Sequence, residues 1–339
     1  PDLNEKVVEA ENMSIWSALG ELRYLFKHAL LRDAAYRMQI HSRRQTLHKA
    51  AAEAIETLHP DDLDPHYGEL AYHTEQAQQI DKAVHYLQLA GKTAADTYQN
   101  SAAIDYYTRA LNLAPAGDLE GRYRILRARM RVLGRLAAYQ DQGRDLEEML
   151  SLTVQLNDTV KQLKVLVAQA WMYWWTSDYD SALAASQEAS SMAEAAGEPD
   201  LVAQADHVGT WTRIQRGEYD DAQRLAQKAL ESARQSGDVH LESNALHSLG
   251  FVHRAEGNYY ASLLSAEEAL AVDRKEADLF GEATALGNLG VAHMTLGNYA
   301  AAQECFVQAL AISHETGAKV SSGMAVINLA WNAQAQGEW

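Results

Sequence analysis

Apolar and small residues recur along most of the chain at the spacing of one helix face. Leu286, Leu289 and His293 stand at i, i+3 and i+7, which places them on one side of a 3.6-residue helix. Gly297-Asn298 then interrupts the pattern, since both residues tolerate positive φ. Tyr299, Ala302, Phe306, Ala309 and Leu310 mark a second helix, and Gly317 ends it. The stretch 279–317 therefore predicts a helix–turn–helix hairpin.

The hairpin repeats. Ser177-Asp178-Tyr179, Gly217-Glu218-Tyr219, Gly257-Asn258-Tyr259, Gly297-Asn298-Tyr299 and Gly337-Glu338-Trp339 follow one another in steps of 40 residues. Gly197, Gly237 and Gly317 keep the same step, with Ala277 in the gap, and so do Ala189, Ala229, Ala269 and Ala309. Leu249-Gly250, Leu289-Gly290 and Leu329-Ala330 are a further marker, and Tyr139 carries the register one unit back. Small residues at Gly290, Ala302 and Ala309 let helices approach, while Tyr299 and Phe306 fill the space between them. No hairpin can bury its apolar face alone, so the units must stack into a solenoid.

Gly290, Gly297, Tyr299, Ala302, Phe306 and Ala309 resemble the small-and-large pattern of the tetratricopeptide (TPR) repeat. The step of 40 resembles the longer-helix variants, as do Asn288-Leu289-Gly290 and Asn328-Leu329-Ala330. HEAT-type repeats have similar lengths but lack the Gly-x-Tyr-x-x-Ala turn. The resemblance covers about 119–339 and implies an all-α, right-handed superhelix. The long-repeat array is expected over 118–339 with its last repeat truncated, preceded over 61–117 by shorter, irregular TPR-like helices around Ala83-Val84-His85-Tyr86 and Ala103-Ile104-Asp105-Tyr106. An array that stops at Trp339, where a second helix is due, and a chain that opens on Pro1 rather than Met are expected of a piece of a longer protein.

The chain has 339 residues, room for two ordinary domains or one long array. Hydrophobic residues make up 47 %, which excludes long disordered stretches. No run of 18 apolar residues exists, so no membrane span is expected. The single Cys305 excludes a disulfide framework and suits a reducing, cytoplasmic setting.

Residues 1–60 carry eight Lys+Arg and eight Asp+Glu, so the whole net charge of −17 falls on the remainder. Leu22-Arg23-Tyr24-Leu25-Phe26 alternates like a short strand, and helical pattern follows through Leu47, Ala51 and Ile55. Phe26-Lys27-His28-Ala29-Leu30-Leu31-Arg32-Asp33-Ala34-Ala35-Tyr36 with Arg43-Arg44-Gln45-Thr46-Leu47-His48 resembles the end of the winged-helix element of STAND-class signal-transduction ATPases. That resemblance covers about 20–58 and implies a winged-helix-like remnant over 1–60. It aligns His28 with a histidine that lies near bound ADP, although Ala29 stands where Asp is usual. ATP or ADP and Mg would then belong to the parent protein. No Gly-x-x-x-x-Gly-Lys-Ser/Thr motif occurs here, so the chain itself is expected to hold no cofactor.

In a TPR solenoid the first helices line the concave face. Alignment on Gly290 sends Arg131, Trp171, Trp211, Phe251, Val291 and Trp331 into that groove, with Arg127, Val167, His207, His247, Gly287 and Ile327 four residues earlier. Two features follow: an arginine stripe, Arg124, Arg127, Arg131 and Arg135, and an aromatic ladder, Trp171, Trp211, Phe251 and Trp331. Arg and Trp are enriched at binding hot spots, so the groove is expected to take a protein or peptide that is acidic at one end and apolar at the other. Asn244, Asn288 and Asn328 can bond its backbone, as the resemblance to long-helix repeats implies. Against this, the arginines can pair with Asp145, Glu147 and Glu148, and the aromatics can be inter-helix core. The Lys and Asn of a chaperone-type carboxylate clamp are replaced by Arg, Trp and Phe.

No His-Glu-x-x-His, Gly-x-Ser-x-Gly or other catalytic constellation appears, so neither a metal nor enzymatic activity is expected. A charge of −17 repels nucleic acid. The expected role is a partner-sensing, regulatory TPR domain of a larger STAND-type ATPase, whose ATPase domain is an intramolecular partner; the alternative is a passive scaffold.

Overall fold

The computed structural model describes residues 16–20, 23–26, 36, 40–316 and 319–337. His28 lies outside the described residues, as do residues 27–35 of the winged-helix resemblance. The alternating stretch forms β2 (Arg23–Phe26), antiparallel to β1 (Trp16–Gly20), with Trp16 opposite Phe26 and Ala18 opposite Tyr24. Beyond this hairpin the regular structure of the described residues is helical: α1 (His41–Leu58), a 3₁₀ turn (Asp64–His66), α2 (Tyr67–Gln76), α3 (Ile80–Asp96), α4 (Asn100–Leu113), α5 (Leu119–Arg135), α6 (Tyr139–Leu156), α7 (Thr159–Trp175), α8 (Tyr179–Ala196), α9 (Pro199–Arg216), α10 (Tyr219–Ser236), α11 (Val239–Ala255), α12 (Tyr259–Lys275), α13 (Leu279–Thr295), α14 (Tyr299–Glu315) and α15 (Lys319–Gln336).

Most turns between these helices share one conformation. A single left-handed residue follows the helix, at Ala137, Asn157, Ser177, Gly197, Gly217, Gly237, Gly257, Ala277, Gly297 and Gly337. Those positions fall on a 20-residue grid, half of the 40-residue repeat. In several turns the next residue caps the following helix: Asp158, Asp178, Asp238, Asn258 and Asp278 each accept a backbone N–H through their side chains. Each such turn satisfies both helix ends within two or three residues, and helix length is thereby held at 17 or 18.

Two compact units emerge, Pro1–Val132 and Leu133–Trp339. In the first, α1 rests on α2, α2 on α3 and α3 on α4, around buried Leu70, Leu87, Ala103 and Tyr107. The helix α3 runs 17 residues, as long as those of the array, whereas α2 has only 10. Glu56 accepts from Tyr86 at 2.6 Å and Lys82 at 2.9 Å, and Arg109 meets Glu75 at 2.5 Å.

In the second unit each helix packs against the next. Alanine recurs at the closest approaches: Ala182, Ala189, Ala222, Ala229, Ala269, Ala302 and Ala309 are at most 3 % exposed. Gly290 is required by its neighbour, because a Cβ there would stand 2.4 Å from a Phe306 ring carbon. Phe306 is fully buried, so removing its ring would cost about 3–5 kcal/mol.

Candidate functional site

The first helices of the second unit touch their counterparts in the neighbouring hairpins: α7 meets α9, α9 meets α11, α11 meets α13 and α13 meets α15. The second helices α8, α10, α12 and α14 make no comparable contact with one another. Within this unit the first helices therefore line the inner, tighter face, as the repeat register requires.

That face carries a continuous aromatic strip. On α7, Trp175 meets Trp174 edge-on at 4.8 Å between ring centres, and Trp174 meets Trp171 at 5.8 Å. Trp171 then reaches His207 on α9 at 5.6 Å, His207 reaches Trp211 at 6.4 Å, and Trp211 reaches Phe251 on α11 at 5.3 Å. The Arg254 guanidinium closes the series 4.8 Å over the Phe251 ring. Trp171, Trp211 and Phe251 are half-buried. One side of Trp211 and Phe251 packs on Ile214, Ala222 and Val252, while Trp171 packs on a cluster that includes Leu166 and Val208. The rings are thus core on one flank and surface on the other. Trp175 and Trp331 are 61 % and 55 % exposed.

Below the strip runs a polar relay. Asn288 Nδ2 on α13 donates to His247 Nδ1 at 3.1 Å. His247 must then carry its proton on Nε2, which lies 3.3 Å from the Ser243 hydroxyl oxygen. Ser243 donates in turn to the buried Asp273 carboxylate at 3.0 Å. In the preceding hairpin Ser248 donates to the Asn244 carbonyl and accepts from His207 Nδ1 at 3.2 Å. Burial holds both histidines down at about 4, so they are neutral near pH 7. Burial likewise pushes the Asp273 carboxyl up, partly offset by the Ser243 bond.

The remaining expected residues fall out as follows. Asn244 is exposed on the inner face. Asn288 spends one N–H on His247. Asn328 is only 7 % exposed and lines a cavity of about 190 Å³ with Asn288. Arg124, Arg127 and Arg131 are exposed on α5 within the first unit, and among the described residues none of the three is ion-paired. Arg135, also exposed, lies in the second unit and does hold an interaction. Arg254 and the Ser243–Asp273 limb had not been expected; a signal existed for Arg254, which sits at i+3 from Phe251 on the same helix.

Among the described residues no group of three His, Cys, Asp or Glu side chains is placed to hold a metal ion. Cys305 is buried and its thiol is pushed up by desolvation. No described helix is long and apolar enough to cross a membrane.

Residues 201–275 and 283–315 match tetratricopeptide repeat families. Among solved structures, the apo form of RapI aligns with a TM-score of 0.56 at 14 % identity, over 75 % of this chain and 98 % of its own. A Rap protein complexed with competence and sporulation factor aligns at 0.53 and 13 % identity, over 91 % and 92 %. A STAND protein with a tetratricopeptide repeat sensor from Pyrococcus horikoshii aligns at 0.52 and 14 % identity, over 98 % of this chain and 49 % of its own, so the chain spans about half of that protein. At these identities the likeness is one of fold. No curated protein sequence matches the chain.

Proposed function

We propose that this tetratricopeptide repeat protein receives a peptide segment of a partner along the inner face of its second unit, and that it does so as the sensing and regulatory arm of a larger STAND-type signalling ATPase. The observation that carries the reading is the half-exposed strip from Trp175 through Trp171, His207 and Trp211 to Phe251. Rings anchored on one flank and open on the other are rigid, pre-positioned apolar contacts, the kind that dominate interface energetics. TPR domains typically bind proteins, and a Rap protein of this fold has been crystallised in complex with competence and sporulation factor. The likeness over nearly the whole chain to a STAND protein supports the placement in such an ATPase.

The partner is a protein or peptide, apolar where it meets the strip; Arg124, Arg127 and Arg131 of the first unit offer acidic groups a surface of their own. ATP or ADP with Mg would be held by the parent protein, with His28 as a nucleotide-sensing residue of a winged-helix-like segment over 1–60. The setting is cytoplasmic. Partner binding biases an off-to-on equilibrium of the parent, and the shift cannot exceed the partner's differential affinity for the two states.

Selection of a displayed random-peptide library on the whole chain tests the reading. Selected peptides should carry aromatic or aliphatic anchors and lose at least tenfold in affinity against Trp211→Ala or Phe251→Ala. A library that yields no peptide sensitive to either substitution overturns it.

A further inference from the structure

Most helical glycines among the described residues have a steric reason. A Cβ added at Gly91, Gly209 or Gly290 would stand 2.7 Å or less from Tyr107, Leu225 or Phe306. Gly287, like Gly323 on α15, has none, because a Cβ there meets nothing within 4 Å and its φ is ordinary. A mid-helix glycine without such a reason costs stability relative to alanine. Equivalent positions one repeat away hold His247 and Ile327, so the missing side chain is particular to this hairpin.

What Gly287 opens is the cavity of about 190 Å³ between α13 and α15. It is lined by Ala283, Ala309, Ala325 and Met324 together with Thr284, Asn288 and Asn328, and among the described residues no charged side chain lines it. An apolar cavity of about 150 Å³ is enough to admit a benzene ring. One polar group in the lining is unpartnered. The Asn328 side chain is more than nine-tenths buried, yet among the described residues its amide has no hydrogen-bond partner. Asn288 beside it is already committed to His247, and the Thr284 hydroxyl donates to the Phe280 carbonyl. An amide whose hydrogen-bonding capacity is unused at the edge of a cavity can bond a ligand's peptide group.

We propose that the Gly287 cavity is a specificity pocket that takes one uncharged, apolar side chain of the bound peptide, with the Asn328 amide bonding the peptide group that carries it. This rests on the peptide-binding reading above and adds a selection rule to it. The uncharged lining rejects ionic groups, since a charge entering there would be desolvated without a counter-charge.

The probes are capped amino acids, each one side chain between two peptide groups. Titrations of the whole chain are followed by amide NMR. N-acetyl-leucine amide should give saturable shifts centred on Gly287, Met324 and Asn328, with N-acetyl-glycine amide and free zwitterionic leucine at least tenfold weaker. Gly287→Leu, whose Cβ meets nothing within 4 Å, should occupy the cavity and abolish the shifts while keeping or raising the Tm. Asn328→Ala should weaken binding severalfold. Equal binding by wild type and Gly287→Leu, or no saturation at the probe's solubility limit, overturns the pocket. If library peptides depend on Trp211 but ignore Gly287→Leu, the pocket fails and the groove stands; if none depends on Trp211, the groove itself fails.

Discussion

Asn288 Nδ2 lies 3.1 Å from Nδ1 of His247, and this bond ties the inner faces of two neighbouring hairpins. Because the amide donates, the imidazole must accept, and only neutral histidine can accept at Nδ1. Protonating His247 removes the bond and places a charge in a site whose burial already holds the imidazole down at about 4.

Stability should therefore depend on acid through His247 and His207. An unfolded histidine titrates near 6.5, whereas these two resist protonation until about pH 4. Both are depressed, so their contribution is whole above about pH 6.5 and is lost as pH falls toward 4. Each loss reaches on the order of 3 kcal/mol at the acid limit. The buried carboxyls of Asp206 and Asp273, pushed up by desolvation, act in the opposite sense as pH falls, so the window from pH 6.5 to 5 is read by comparing wild type with His247→Gln. Urea midpoints should fall across it in wild type and fall less in His247→Gln. Parallel profiles in the two proteins contradict the buried neutral assignment.

Ser243→Ala should cost about 1–3 kcal/mol, because it leaves both His247 Nε2–H and the Asp273 carboxylate without their shared partner. Ser265→Ala, at a similarly buried serine outside this relay, should cost less. Thermal melts of the two variants decide it; equal Tm losses would remove the relay's structural importance.

Ala277 occupies a left-handed turn, φ 55°, at a grid position where Gly197, Gly217, Gly237, Gly257 and Gly297 stand elsewhere. A Cβ in that conformation costs about 1–2 kcal/mol. Ala277→Gly should gain stability by about 1 kcal/mol, after the extra entropy of glycine in the unfolded chain is set against the relief. Chemical denaturation measures this directly, and a loss of stability would contradict it.

Gly290 and Phe306 should be strongly coupled. Gly290→Ala forces its methyl group into the ring and should destabilise by about 1–3 kcal/mol. In a Phe306→Leu background the same change should cost much less. A double-mutant cycle that returns additive values would show the ring had moved aside at no cost.

The exposed arginines of α5 make the reverse kind of prediction. Arg124, Arg127 and Arg131 stand at helical spacing without ion pairs among the described residues. Arg127→Gln should leave stability unchanged or raise it by a few tenths of a kcal/mol at low salt. The same substitution should weaken an acidic peptide and reduce the salt dependence of its binding. Insensitivity of every acidic peptide to Arg127→Gln would confine recognition to the aromatic strip.

Much of this architecture could be read from the residues in order. The grid of turns was visible as Gly197, Gly217, Gly237, Gly257 and Gly297, because left-handed backbone and helix capping are local demands that name their own residue types. The inner-face register followed from counting back from Gly290. The length of α3 was not visible, since its turns use Gln78 and Tyr98 where no glycine marks the stop.

The one-dimensional pattern by itself determined that helical hairpins repeat every forty residues and which side of each first helix turns inward. Helix period and turn chemistry act over a few residues, so they are written locally. Only the folded chain decided how deep each inward side chain sits: Trp211 and Phe251 half-covered, His247 committed to Asn288, and an open space where Gly287 faces Asn328. Those outcomes depend on the spacing and rotation of helices forty residues apart, and van der Waals contact and hydrogen bonding change over distances far smaller than any sequence period specifies.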